Sequence, residues 1–452
     1  MFTRASHFIA TIAEHKVAKT EPDIKCDRRT NDLDRICFYL FVAGGIAGLA
    51  QFSHPLPFGL GYEMVAIGKT LATSGSFANP FRILDTGPTA VNPPLYPFFL
   101  GLLFKLFGAP GFVLIAAAIG NIVMNALAAS WLPRVSLVAF GSIVPGVVAS
   151  ILWLAAVQLM PAWDTSYTAA GLILFCWRSA SSIKSNRPLK AAVSSGLLAG
   201  ALMLLNPSSV IVLLAWLAYL TVAKQRSLLF AGVVLAISCV PVSLWMLRNV
   251  MVLGAPVLRT NLGMTLHVSN NDCAQPSLVT SGQVGCYQSN HPNDSLVEAQ
   301  ALRSQGEVTY DKTRVADSIR WMRSNPTRFR QLTIERLRLF WFPQHGKRAL
   351  PTYAIWFGTV LSIPGFLLMV RRREAVTGFI AFVLFIYPLM YYVVVSDVRY
   401  RYPVLWLSFM AAGYLVLSAK PSRAGQLHSS RGVTEIVSEQ VPAKCGSDLK
   451  VT

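Results

Sequence analysis

The sequence predicts an all-α polytopic membrane protein, with about ten transmembrane helices, interfacial helices, and a small extracytoplasmic domain that is mostly helical. Three observations carry this. The 452 residues are 53% hydrophobic and only 13% charged, with a mean hydropathy of +0.48, whereas soluble domains carry about 25% charged residues. The apolar residues gather in runs long enough to cross a bilayer. Acidic residues nearly vanish from the first half: between Ile36 and Leu247 there are only Glu63, Asp85 and Asp164. This excludes an ordinary cytosolic enzyme and a disordered chain. The net charge of +19 would suit a nucleic-acid binder, but the hydropathy does not, and no nucleic-acid partner is expected.

The elements follow in order. Residues 1–35 are polar, with seven Lys/Arg and six Asp/Glu, and show no signal-peptide pattern. They read as a cytoplasmic tail. A transmembrane core covers 36–247. Its first span is 36–52, followed by a first outer loop, 53–110, too polar and too rich in Pro and Gly for hydrocarbon. Inside that loop Met64, Ile67 and Leu71 have helical spacing, which predicts an interfacial helix. Residues 94–108 are apolar but short and carry Lys105, and are also read as interfacial. Further spans are predicted at 111–132, 136–160, 165–177, 191–205, 207–223 and 227–247, with Arg134 in a cytoplasmic turn. Residues 248–350 hold thirteen Lys/Arg and seven Asp/Glu and form the extracytoplasmic domain, with two helices broken at Asn325-Pro326. Spans at 352–370, 376–395 and from about 403 to Ser418 complete the C-terminal helices, 351–419. The cytoplasmic tail is 420–452.

The basic residues orient this arrangement. Twenty-two Lys/Arg fall on the inner side and five on the short outer segments, so both termini lie in the cytoplasm of a cell inner (plasma) membrane. Cys273 and Cys286 alone among the cysteines fall outside. A disulfide between them is expected, stapling a Gly/Ser/Pro-rich loop in an oxidising space, with two separate thiols as the alternative. No metal-type Cys/His spacing appears.

Ionisable groups at a bilayer are costly and become functional candidates. On this topology Glu63, Asp85, Asp164 and Asp397 share the outer face with Arg82, Arg248, Arg399 and Arg401. A carboxylate can deprotonate an attacking hydroxyl, and arginines can hold a phosphate. The substrate implied has a phosphate at headgroup depth and an apolar tail. Each residue also has a bland reading. Arg399-Tyr400-Arg401 can be an interfacial anchor, Asp164 a helix N-cap, and Glu63 and Asp85 water-facing. His54, His267, His291 and His345 are scattered with no visible pairing.

Four stretches in order resemble the membrane-embedded GT-C glycosyltransferases, in the bacterial branch similar to dolichyl-phosphate-mannose protein mannosyltransferases and lipid A aminoarabinose transferase (families 39 and 83). They are GYEMVAIGKTLATSGSFANPF…TGPTAVNPPLYPFFLGLLFKLFG (61–108), PAWDTSY (161–167), RNVMVLGAPVLRTNLGMTLHVSNN (248–271) and RYRYPVLW (399–406). The resemblance implies a GT-C fold and transfer of a sugar from a polyprenyl-phosphate carrier to an extracytoplasmic glycan, lipid or protein acceptor, with inversion. It implies Glu63 and Asp164 as catalytic acids, Arg399 and Arg401 with Arg248 or Arg82 on the donor phosphate, and Asp85, Tyr96, Tyr400 and Asp397 as secondary site residues. No cofactor is required on this reading beyond the lipid-linked donor, while a divalent metal can fit two acidic sites. Two departures stand out: the first loop carries Tyr62-Glu63 where relatives show Asp or Asp-Glu, and Asn92 where many have a base before Pro-Pro. No Gly-rich nucleotide loop follows a strand. The rival readings are a transporter or flippase for a lipid-linked or anionic substrate, a polysaccharide polymerase or ligase, and a non-catalytic scaffold.

Overall fold

The computed structural model describes residues 21–52, 62–156, 160, 163–181, 188–344 and 349–419. Expected features in 1–20, 53–61, 182–187 and 420–452, together with His54 and His345, lie outside the described residues. The helices are α1 (Glu21–Phe52), α2 (Glu63–Ser74), α3 (Leu95–Phe107), α4 (Pro110–Phe140), α5 (Val144–Ala156), α6 (Thr165–Ser181), α7 (Pro188–Leu205), α8 (Ser209–Val222), α9 (Leu228–Leu253), α10 (Leu262–Ser269), α11 (Leu278–Gln283), α12 (Cys286–Asn290), α13 (Leu296–Gln305), α14 (Glu307–Ser324), α15 (Pro326–Trp341), α16 (Ala349–Arg371), α17 (Thr377–Ile386), α18 (Leu389–Tyr392) and α19 (Tyr402–Ala419). Among the described residues, pairing of extended chain is confined to two isolated bridges, Ala78–Pro88 and Ser277–Ser396.

Among the described residues, six stretches are long and apolar enough to cross a membrane: Asn31–Gln51 within α1, and α4, α7, α9, α16 and α19. Shorter apolar helices are α3, α5, α8 and the run Thr377–Tyr392. The polytopic all-α class therefore holds. Local chemistry sets several ends. Pro110 opens α4, where a missing N–H costs nothing. Ser227 caps α9 by accepting the Phe230 N–H.

Four boundaries differ from the sequence reading. Arg134 does not sit in a turn, because α4 continues through Pro133 and Arg134 and ends at Gly141, whose φ is +64°. Neighbouring helices make an internal proline tolerable in such a helix, and Arg134 is held by Asp34 of α1 at 2.7 Å. The single span expected at 376–395 breaks between α17 and α18 at Pro388, which cannot continue the hydrogen-bond ladder. Residues 21–35, expected in a tail, belong to α1. Helix α9 runs on to Leu253, so Arg248 projects from the helix itself. The break at Asn325-Pro326 falls where the proline predicts it.

Helix α19 is buried from Tyr402 to Tyr414 and packs on α5 and α16. The backbones approach closely enough that a Cβ on Gly365 would fall 1.9 Å from the Ala411 carbonyl oxygen. Helices α2 and α3 pair in the same way, with a Cβ on Gly68 meeting Leu100 Cβ at 2.8 Å. That contact fixes α2 along its apolar side, where Met64, Val65 and Ile67 are buried. Helices α10 to α15 form a further polar layer, in which α10 packs on α14.

Candidate active site

Glu63 is the first residue of α2 and only 7% exposed. A carboxylate is favoured at that position by the helix N-terminus. Burial raises its pKa, and its own backbone hydrogen bond, Arg399 and Arg259 pull it back. Its Oε1 stands 3.4 Å from His291 Nε2.

Asp164 directly precedes α6 and is 5% exposed. Its Oδ2 accepts hydrogen bonds from Thr168 Oγ1 and Asn206 Nδ2, each at 3.1 Å. The chain of contacts continues outward. Ser208 Oγ donates to Asn206 Oδ1 at 2.7 Å and lies 3.2 Å from Tyr387 Oη. The Tyr387 hydroxyl is 3.3 Å from that of Tyr391, which stacks on Tyr400 at 4.8 Å. Burial raises the Asp164 pKa, opposed by Thr168, Arg259 and Asn206.

An aromatic pair ties the two acids together. Tyr62, next to Glu63, packs on Trp163, next to Asp164, at 5.1 Å. The Arg399 guanidinium lies 3.8 Å over the Trp163 ring. Asp397 orders this arginine: its carboxylate accepts the Arg399 N–H at 2.9 Å and stands 3.8 Å from Nε.

The cation felt by both acids is Arg259, which sequence reasoning missed. Its Nε donates to the Val91 carbonyl at 2.8 Å, and its Nη2 lies 3.5 Å from Asn92 Oδ1. Burial lowers its pKa while Asp164 and Glu63 raise it, and a guanidinium stays charged throughout. Asn92 Nδ2 beside it is buried with no hydrogen-bond acceptor among the described residues. Arg259 lies in the same stretch as Arg248. The missing signal was direction, because α9 carries Arg248 to one side and the following loop brings Arg259 back.

The other expected site residues are elsewhere. Arg401 is 3% exposed. Its guanidinium donates to the Trp341 carbonyl at 2.7 Å and to Ser408 Oγ at 3.1 Å, and lies over the Trp341 ring. The turn at Val398–Tyr400 is 3₁₀, which sends Arg399 and Arg401 to different neighbours, so Arg401 is a buried brace. Arg248 donates to the carbonyls of Thr89 and Phe77 and packs on Phe77 and Trp245. Glu307 accepts from the Ala90 N–H at 2.6 Å and from Thr260. Both therefore hold the first outer loop. Arg82 pairs with Asp294 and reaches Asn293. Asp85 is exposed on a groove with Lys69, Thr70 and Phe81. Tyr96 is buried, accepts from Asn121 Nδ2 at 3.4 Å and packs edge-on to Tyr167. Cys273 and Cys286 form a disulfide.

His291, read as unpaired, is the second missed residue. Its partner lies more than two hundred residues away, so only folding reveals it. Among the described residues no three His, Cys, Asp or Glu side chains gather as a metal-ligand set.

No protein-family model and no curated protein matches the chain. Among solved structures it is similar to an archaeal oligosaccharyltransferase, AglB from Archaeoglobus fulgidus in complex with an inhibitory peptide and a dolichol-phosphate, at 13% sequence identity and a TM-score of 0.49. The likeness covers 84% of this chain and 50% of that one, so the chain spans about half the length of the structure it matches.

Proposed function

We propose that the chain is an integral-membrane glycosyltransferase of GT-C type that moves a sugar from a polyprenyl-phosphate carrier to an acceptor on the extracytoplasmic side of the cell membrane, with both termini inside. One observation carries the reading: two buried carboxylates, Glu63 and Asp164, lie within the electrostatic reach of one half-buried arginine, Arg259, and the Arg399 guanidinium sits on Trp163 beside Asp164. A buried carboxylate with a raised pKa is a competent base. Two guanidiniums suit a leaving phosphate.

On this reading the acceptor hydroxyl gives its proton to Glu63 as its oxygen bonds the anomeric carbon. The bond from that carbon to the phosphate oxygen breaks on the opposite face, and the electron pair leaves with the polyprenyl phosphate. Arg259 and Arg399 hold the charge that develops. Asp164, fixed by Thr168 and Asn206, balances Arg259 and orients it. Arg399 keeps the phosphate role that the resemblance implies for it, and Arg259 takes the place of Arg401, Arg248 and Arg82.

The test is transfer by purified protein from a panel of polyprenyl-phosphate sugars, with mass spectrometry of the products. Wild type is expected to release polyprenyl phosphate and extend an acceptor, and Glu63→Gln to abolish this while remaining folded. Full activity in Glu63→Gln, or no turnover of any donor, sinks the reading.

A further inference from the structure

We propose that His291 is the positioning residue of Glu63: its Nε2–H stands against Oε1 and orients the carboxylate that takes the proton. The role deepens the reading of Glu63 as the base, but it rests on contacts that exist whatever the reaction.

The tautomer follows from the backbone. The Asn293 N–H donates to His291 Nδ1 at 3.1 Å. A neutral ring with Nδ1 accepting carries its proton on Nε2, the atom that stands 3.4 Å from Glu63 Oε1. Burial pushes the ring down to about 4, so near neutral pH it is an uncharged donor. It can orient a carboxylate without neutralising it.

The ring is locked from several sides. Tyr287 stacks on it at 4.6 Å and 15°, and Phe81 meets it edge-on at 6.0 Å. Asn293 is itself tied to the first outer loop, where its Oδ1 accepts the Arg82 N–H at 3.1 Å and its carbonyl accepts Arg82 Nε at 3.3 Å. Upstream, Tyr287 follows directly on Cys286, which the disulfide anchors to Cys273, and His291 closes the short helix that Cys286 begins. The charged groups facing the pair are Arg399, Arg259 and Asp294 toward Glu63, and Asp294, Arg399 and Glu298 toward His291. The arginines act on Glu63 as charges, whereas His291 is a neutral side-chain donor beside Oε1, a role the arginines do not fill. Hydrogen bonding to the charged form favours that form. His291 therefore counteracts the upward push of burial on Glu63.

The experiment titrates the protonated-carboxyl infrared band that Glu63→Gln removes, in the full chain in lipid nanodiscs. His291→Ala and His291→Asn are expected to raise its midpoint by about one pH unit, the size of a charge-assisted hydrogen bond. His291→Gln, whose amide nitrogen reaches the Nε2 position, is expected to keep the wild-type midpoint. An unchanged midpoint in the first two variants, or an equal rise in all three, overturns the proposal. If the alanine variant does not fold, the Gln–Asn comparison decides. A merely structural role would not separate those two. A chain that shows the shift but transfers no sugar keeps this role for His291 and removes the transferase reading.

Discussion

Acidification should loosen the segment that carries His291 before it disturbs the rest of the molecule. The ring titrates near 6.5 in an open chain and at about 4 in the folded site, because burial penalises its charged form. For a base with a depressed folded pKa, the opened form takes up a proton that the native form refuses. The native advantage is complete above about pH 6.5 and is lost progressively down to about pH 4, amounting to about 3 kcal/mol. Glu63 works the other way: its raised folded pKa means that protonation on acidification returns some stability. The wild-type chain is therefore compared with His291→Gln, which removes only the imidazole. Hydrogen exchange over residues 286–294, corrected for its intrinsic pH dependence, should show protection falling roughly 100-fold between pH 7 and pH 4 in wild type. In His291→Gln that slope should be absent. The same slope in both proteins, or a loss beginning only below pH 4, refutes the reasoning.

Three further outcomes follow. Replacing Cys273 and Cys286 by serine opens a loop with a sequence separation of 13, and should cost about 3 kcal/mol of local stability, read as faster proteolysis of residues 273–291. An unchanged cleavage rate contradicts this. Arg401→Leu leaves the Trp341 carbonyl and the Ser408 hydroxyl without their donor. It should lower thermal stability by about 2 kcal/mol while polyprenyl-phosphate affinity is kept, and the reverse pattern would return Arg401 to the site. Arg259→Gln should weaken polyprenyl-phosphate binding at least roughly tenfold, and unaltered binding in a folded variant removes Arg259 from that role.

The fold class was legible because burial in lipid leaves few choices: apolar runs of bilayer length must be helices. Glu63 and Asp164 stood out for a related reason, since an acid kept within such a stretch must be held by something. Distances along the chain hid the rest. His291 and Arg259 come from loops beyond α9, and their partners are chosen by tertiary packing. Arg399 and Arg401 look equivalent in the sequence, yet one 3₁₀ turn divides them between the site and the core. Arg134 looked like a turn residue because a charge between two apolar runs marks a cytoplasmic turn, whereas the helix runs on through Pro133 and Asp34 holds the charge.

The three ties on the first outer loop have a dynamic meaning. Arg248 grips the carbonyls of Phe77 and Thr89, Arg259 that of Val91, and Glu307 the amide of Ala90. Each is a charge-assisted bond of about 1.5 kcal/mol or more. Releasing all three at once would leave the loop swung open in on the order of one molecule in a thousand. The segment is thus a wall rather than a door. The segment at residues 291–294 differs in kind, because its hold on the site weakens as pH falls.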